Sequence, residues 1–386
     1  MTRSWRAAAA LAVAILAAGC GSVSSRTEAG NSSAPVPLSL TTAETGPGAT
    51  WAAVPMGAAS GPNLFWQLFL LPAGGTRWSL QTPPDIATNG ALILAGQAGQ
   101  GLITGERPSL YLSFSAIITT HDGGRNWATL PPTSGLADVP DALAAAPDGH
   151  LIALGQDQQV SIAGSAGPSG AGWTTLTSEH ALAATPAGRN CALAGLTAAA
   201  YTPAGAPLLA GTCAHAGTVG VFADTSGSWR PAGPALPASL AGQRVRVLRL
   251  SRTGSSDVAL LEVGSGPSAS LLSAWTSDGG QHWSLSPALK LGGSHVISVS
   301  FGEGGATAIV LNGNRGETLA GPGASWRSLP TLPPGRTVTL ALPAAGTADA
   351  LAADGSTLTA WQLTGGPARW AKTQVIKVPI QYGSSG

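Results

Sequence analysis

Short apolar runs separated by glycine, proline and aspartate set the rhythm of this chain. TVTLAL (337–342) alternates Thr with Val and Leu, the period-two mark of a strand. HVISVSF (295–301) predicts a strand with Ile297, Val299 and Phe301 on one face. HLIALG (150–155), PLLAG (207–211), DVALLEV (257–263) and TAIVL (307–311) are short apolar runs, as expected for strands covered on both faces. Each is bounded by turn residues. Alanine is abundant, but Gly and Pro interrupt it too often for long helices. The pattern predicts an all-β chain of many short strands.

A second period runs over the first. Gly-rich turns deliver a tryptophan at Trp78, Trp127, Trp173, Trp229, Trp283, Trp326 and Trp370, with spacings of 49, 46, 56, 54, 43 and 44. Seven of the twelve tryptophans fall on this one phase, which marks a true repeat. Repeats of about 40–50 residues are the period of four-stranded propeller blades. Each repeat reads as three strands, a Gly-rich hairpin and a fourth strand opened by Trp. The expected fold is a seven-bladed β-propeller, with a six-bladed ring as the alternative.

Two of these turns are spelled more fully, TTHDGGRNW (119–127) and TSDGGQHW (276–283). Gly123, Gly124, Gly279 and Gly280 supply the positive φ that tight hairpins need. The carboxylates of Asp122 and Asp278 are suited to accept hydrogen bonds from their own turn's N–H groups. Trp127 and Trp283 offer large surfaces to bury against a neighbouring sheet. The motif resembles the Asp-box, or BNR repeat, of sialidase-like β-propellers. The other five turns keep only Gly and Trp. The resemblance in repeat phase covers about residues 60–386. It implies fold more than activity, because in that family the box lies at the blade periphery, and fold does not imply function.

A sialidase would be the enzyme implied. The family's Arg-Ile-Pro motif is reduced to Glu106-Arg107-Pro108, without the Ile. Tyrosine, the family's nucleophile, occurs only at 111, 201 and 382. Other glycosidase chemistry needs two facing carboxylates, and the Glu residues are scattered without a motif. No HExxH, GxSxG, P-loop or dinucleotide fingerprint is present. No catalysis, cofactor or metal is therefore expected. The alternative is a sialidase-like, carbohydrate-active hydrolase. RVRVLRLSR (244–252) gathers Arg244, Arg246, Arg249 and Arg252 on a strand that opens a repeat. It reads either as an anion-binding rim or as solvated arginines paired to nearby acids.

Composition narrows the setting. Charged residues are only 10% and the formal net charge is +1, so no basic footprint points to nucleic acid. Arg3 and Arg6 precede the apolar run 7–18, which is too short to span a bilayer. Leu16-Ala-Ala-Gly-Cys20 resembles the lipobox of bacterial lipoproteins, with Ala17 where Leu is commonest. That resemblance makes 1–19 a signal peptide and Cys20 the lipidated residue. Residues 20–48, rich in Gly, Ser, Thr and Pro, read as a flexible linker, and 49–386 as the propeller. The expected location is the extracytoplasmic face of the cell membrane, as a monomer held by its lipid, with an unknown protein or glycan ligand. The remaining thiols, Cys191 and Cys213, make an even pair in an exported chain and are expected to bond on neighbouring strands of one repeat. Only 27 residues separate Trp51 from Trp78, room for three strands. The tail TQVIKVPIQY (373–382) is therefore expected to complete the first blade by pairing near residues 64–71.

Overall fold

The structure is a computed structural model and describes residues 42–44, 49–56, 65–82, 92–96, 102–106, 116–129, 140–146, 148–155, 157–163, 173–312, 314–335, 337–342, 347–354, 357–364 and 368–377. All of them belong to one compact body, Ala34–Gly386. Its strands follow one another in antiparallel four-stranded repeats. Repeat 1 comprises Thr42–Glu44, Ala49–Met56, Phe65–Pro72 and Ser79–Leu80. Repeat 4 comprises Leu193–Tyr201, Pro207–Cys213, Gly220–Thr225 and Ser228–Pro231. Repeat 5 comprises Val245–Thr253, Ser256–Val263, Ser270–Thr276 and Ser284–Leu285. Repeat 7 comprises Thr337–Ala341, Asp349–Asp354, Thr357–Thr364 and Arg369–Lys377. Repeats 2, 3 and 6 follow the same order, opened by Leu92–Gly96, Ala142–Ala145 and Val296–Phe301. Repeats 4 and 5 share one sheet, because Thr212 and Cys213 pair with Arg246 and Val245.

The opening strand of each repeat lies beside that of the next, and the opening strand of repeat 7 lies beside that of repeat 1. This is a β-propeller. Apolar side chains alternate along each strand and so feed two cores, one with the preceding repeat and one with the following repeat. Ala259, Leu261 and Val263 pack with Leu208, Ala210 and Val221 of repeat 4, whereas Val258 and Leu260 pack with Val299, Phe301 and Ile309 of repeat 6. The repeat tryptophans are packed backwards around the ring. Trp283, Trp326 and Trp370 lie against the cores that include the preceding repeat, and Trp127 meets Trp51 of repeat 1 edge-on at 5.9 Å. The indole N–H groups of Trp283, Trp326 and Trp370 donate to the carbonyls of Ala232 (2.7 Å), Pro287 (3.0 Å) and Pro330 (3.4 Å) respectively, beyond the preceding repeat's outer strand. The opening strands are also tied sideways. Thr197 Oγ1 donates to Val247 C=O, Arg249 Nη1 to Val299 C=O and Ser300 Oγ to Leu340 C=O, each bond joining one repeat to the next.

Several sequence expectations are corrected here. Repeat 1 builds its own fourth strand: Thr42, Ala43 and Glu44 pair with Ala52, Trp51 and Thr50. The strand lies inside the stretch read as linker, so the body begins before residue 49. The closing segment Arg369–Lys377 pairs with Thr357–Thr364 in its own repeat and adds no strand to repeat 1; residues 378–382 lie outside the described residues. Closure is made by side chains instead. Trp78 N–H donates to Gln374 Oε1 (2.9 Å), and Gln374 Nε2 donates back to Trp78 C=O (3.0 Å). Phe69, Leu71 and Trp78 join Leu351, Leu358 and Ala360 in a common core. A register shift between Val296 and Ser298 turns Ile297 out to 48% exposure, while Val299 and Phe301 stay buried. The expected shared face therefore fails at Ile297, as a bulge re-aims the side chain that carries it.

Cys191 and Cys213 are bonded, with their Cα atoms 4.9 Å apart. Cys191 ends a helix and not a strand. Two short helices, α1 (Glu179–Ala183) and α2 (Pro186–Cys191), precede repeat 4. Ser178 Oγ caps α1 at Ala181 N–H and Thr185 Oγ1 caps α2 at Gly188 N–H. Pro186 starts α2, and Ala192, in the left-handed region, ends it.

Candidate functional site

The two Asp-Gly-Gly hairpins are built alike. Thr120 Oγ1 donates to Asp122 Oδ1 (2.9 Å) and accepts from Gly124 N–H (2.9 Å). Asp122 accepts from Asn126 N–H (3.0 Å) and Asn126 Nδ2 (2.6 Å). Thr276 and Asp278 repeat the pattern with Gly280, Gln281 and His282. The Asn126 hydrogen bonds, backbone first, hold the Asp122 carboxyl down at about 2. His282 does the same for Asp278, well below the usual carboxylate range. These carboxylates are occupied by their own turns. His121 is exposed, as is His282 apart from its 2.6 Å contact with Asp278. The second glycine of each pair has a further role that turn chemistry does not reveal. A Cβ on Gly280 would lie 2.5 Å from Ala232 O, and one on Gly124 would lie 2.9 Å from Gln81 Cβ. Both hairpins press directly on the preceding repeat.

The arginine cluster is dispersed by the strand it sits on. Arg246 pairs with Glu262 at 2.6 Å. Arg249 donates to Val299 C=O and lies 5.5 Å from the Phe301 ring centre. Arg252 donates to the carbonyls of Gly254 (3.1 Å) and Thr202 (3.4 Å). Arg244 is exposed. Of the other sequence candidates, Trp78 is buried, whereas Trp173, Trp229, Trp326 and Trp370 are half-buried. Cys20 lies outside the described residues. Among the described residues, no group of His, Cys, Asp and Glu is arranged to hold a metal, and no helix is long and apolar enough to cross a membrane.

The two ends of the ring differ. Arg252, Asp257 and Thr276 sit at the end where the opening strands finish, together with the Asp-Gly-Gly hairpin of repeat 5. Arg252 is spent there on backbone carbonyls and Thr276 on its own hairpin. At the opposite end the opening strands begin, and Arg244, His295 and Ile297 are exposed. Register shifts occur near this end in three successive opening strands, before Ala198, before Arg249 and before Ser298. Bulges re-aim side chains and are common beside binding sites.

Among the described residues, two buried carboxyls held well above the usual carboxylate range escaped the sequence reading. Asp257 is fully buried, and burial pushes it up to about 7 against the opposing pull of Arg252. Asp349 is 5% exposed, and burial pushes it up to about 6 against a hydrogen bond from Gln362. A folded-state value above the unfolded one means that the folded chain holds the proton. The stability these two groups contribute is present below about pH 4 and is lost as pH rises through about 6 and about 7. Asp122 and Asp278 act oppositely: their contribution is present above about pH 4 and lost as pH falls toward 2. Urea unfolding is expected to show stability declining between about pH 4 and 7, by on the order of a few kcal/mol. The double replacement Asp257→Asn/Asp349→Asn should flatten that decline. An unchanged slope in the variant would assign the pH dependence to other groups.

No family model and no curated protein matches the sequence. Solved structures resemble it in fold. YCF48 from Cyanidioschyzon merolae matches with a TM-score of 0.46 and 13% identity, over 89% of this chain and 96% of that one. TolB from Acinetobacter baumannii matches at 0.45 and 14%, over 70% and 60%. A protein named as a candidate 6-phosphogluconolactonase, from Bacteroides fragilis, matches at 0.49 and 12%, over 86% and 96%.

Proposed function

We propose that this chain is a lipid-anchored, extracytoplasmic seven-bladed propeller of the Asp-box type that binds a protein or glycan ligand without catalysis. The ligand meets the end of the ring where the opening strands begin. One observation carries the reading: Ile297, on a strand that lines the ring, is pushed out of its ladder by a bulge and left 48% exposed. Arg244 and His295 are exposed at the same end and supply polar contacts around it. A concave face with a few convergent polar groups is the default binding site of such a fold. Asp122 and Asp278 are held by their own hairpins, and Glu317 is held by Ser328 and Arg315, which leaves none of these three free to act on a glycan.

Two experiments test this. Partners cross-linked in intact cells and purified with the detergent-solubilised chain should include one held by the wild type and lost with Ile297→Asp. A partner held equally by both would place the ligand elsewhere, and turnover of a chromogenic glycoside panel by purified protein would favour the hydrolase. For the anchor, Cys20→Ala should release the chain from membranes or leave it unprocessed. Normal processing with continued lipid partitioning would remove the anchor from the reading.

A further inference from the structure

Asp257 stands out among the described residues. It is fully buried, and neither carboxyl oxygen meets a protein donor. In the sheet of repeat 5 it stands directly between Arg252 and Thr276. By strand alternation it shares the face of Ala259 and Leu261, which pack against repeat 4. Either cross-strand neighbour would satisfy it, and neither donates to it. Thr276 has a single hydroxyl proton and gives it to Asp278 Oδ1 at 2.8 Å, so the neighbouring hairpin takes the donor. Arg252 reaches across the junction to Thr202 C=O and back to Gly254 C=O. Arg230, from the outer strand of repeat 4, is committed to Gly279 C=O at 2.8 Å. Among the described residues, Arg252 is the charged group that acts on Asp257.

This arrangement suits a neutral carboxyl and not an ionised one. A buried carboxylate without donors is costly, and a guanidinium on the paired residue is the nearest remedy. We infer that Asp257 is a proton-controlled latch between repeats 4 and 5: when it loses its proton, Arg252 leaves Thr202 for the carboxylate and frees the turn at 202–206. The atoms balance simply, since one proton passes from the carboxyl to solvent and one hydrogen bond changes acceptor. Thr202 is the anchor of that turn. Its C=O accepts from Gly205 N–H (2.8 Å), its Oγ1 accepts from Ala206 N–H (3.0 Å), and its own N–H donates to Ala206 C=O (2.8 Å). Loss of the Arg252 contact therefore loosens the amides of Gly205 and Ala206 first. The junction is held tighter in acid than at neutral pH.

Amide exchange and infrared spectroscopy of the full-length chain in detergent test the latch. After normalisation to intrinsic rates, protection at Gly205 and Ala206 should fall about tenfold or more between pH 5 and pH 8. In Asp257→Asn it should be the same at both. The wild-type-minus-variant infrared spectrum at pH 5 should contain the C=O stretch of a protonated carboxylic acid, and that band should vanish by pH 8. Equal wild-type protection at the two pH values, pH dependence that persists in the variant, or absence of the acid band at pH 5 would each overturn the latch. Asp257→Ser replaces the amide variant if that does not fold.

Discussion

Replacing Cys191 and Cys213 together by alanine is expected to lower the unfolding free energy by about 3 kcal/mol. The bridge closes a loop of 22 residues, and both sulfurs are buried in the core that joins repeats 3 and 4. The loop holds the opening strand of repeat 4, so the crosslink fixes that strand between its two sulfur anchors. It also pins the end of α2, a helix of six residues that could not persist alone. Alanine adds a second cost, because the removed sulfur leaves space in a packed core. Urea unfolding of the oxidised, reduced and double-alanine proteins separates the terms. The reduced protein reports the crosslink, and the variant reports crosslink plus cavity. A change below about 1 kcal/mol on reduction would mean that the unfolded chain was already restricted there.

The second large effect is expected at Gly280. Its φ of 84° already disfavours any side chain. Beyond that, a new methyl would sit 2.5 Å from Ala232 O and 2.8 Å from Ala232 Cβ. The same carbonyl receives the Trp283 indole N–H at 2.7 Å, so one substitution disturbs the hairpin, the neighbouring backbone and the tryptophan tie. Gly280→Ala should cost about 3 kcal/mol, from left-handed strain, overpacking and a displaced hydrogen bond. Gly279→Ala is the control. Its φ is 69°, but the nearest atom to its Cβ would be Thr202 Cγ2 at 3.3 Å, so about 1 kcal/mol of backbone strain is expected. Thermal or urea unfolding of the two variants decides the matter. Equal losses would reduce the second glycine to a turn residue and remove its role in the close approach between repeats.

Much of this architecture was legible because the tryptophans and glycines recur. A Trp at the start of each outer strand is a large side chain in a fixed phase, and its periodicity survives changes in everything around it. The features that were not legible lack such a mark. Thr42–Glu44 is a three-residue strand with no apolar alternation, surrounded by Ser, Thr and Gly. It is a strand because Trp51 and its neighbours offer an open ladder. The helices α1 and α2 were signalled by Ser178, Thr185 and Pro186, but an Ala-rich stretch between strands concealed them. The exposure of Ile297 depends on a one-residue register shift, which the alternation in HVISVSF cannot show. Asp257 heads the apolar run DVALLEV, and nothing in that run marks its carboxyl as buried. Its burial follows from how repeat 4 covers that rim, a matter of tertiary packing.

The clasp between Gln374 and Trp78 has a consequence for the order in which the molecule is made. Each repeat draws its four-stranded ladder from consecutive strands, so that ladder is complete soon after the repeat's own outer strand has been synthesised. A ring sealed by sharing a strand between its two ends would hold its first sheet unfinished until translation stopped. Here repeat 1 has all four strands by Leu80, and what must wait is a clasp spanning 296 residues, one carboxamide beside a shared apolar core. Assembly can therefore proceed from the amino end while the chain is still emerging, as domains commonly do. The final step docks a finished last sheet onto a finished first one.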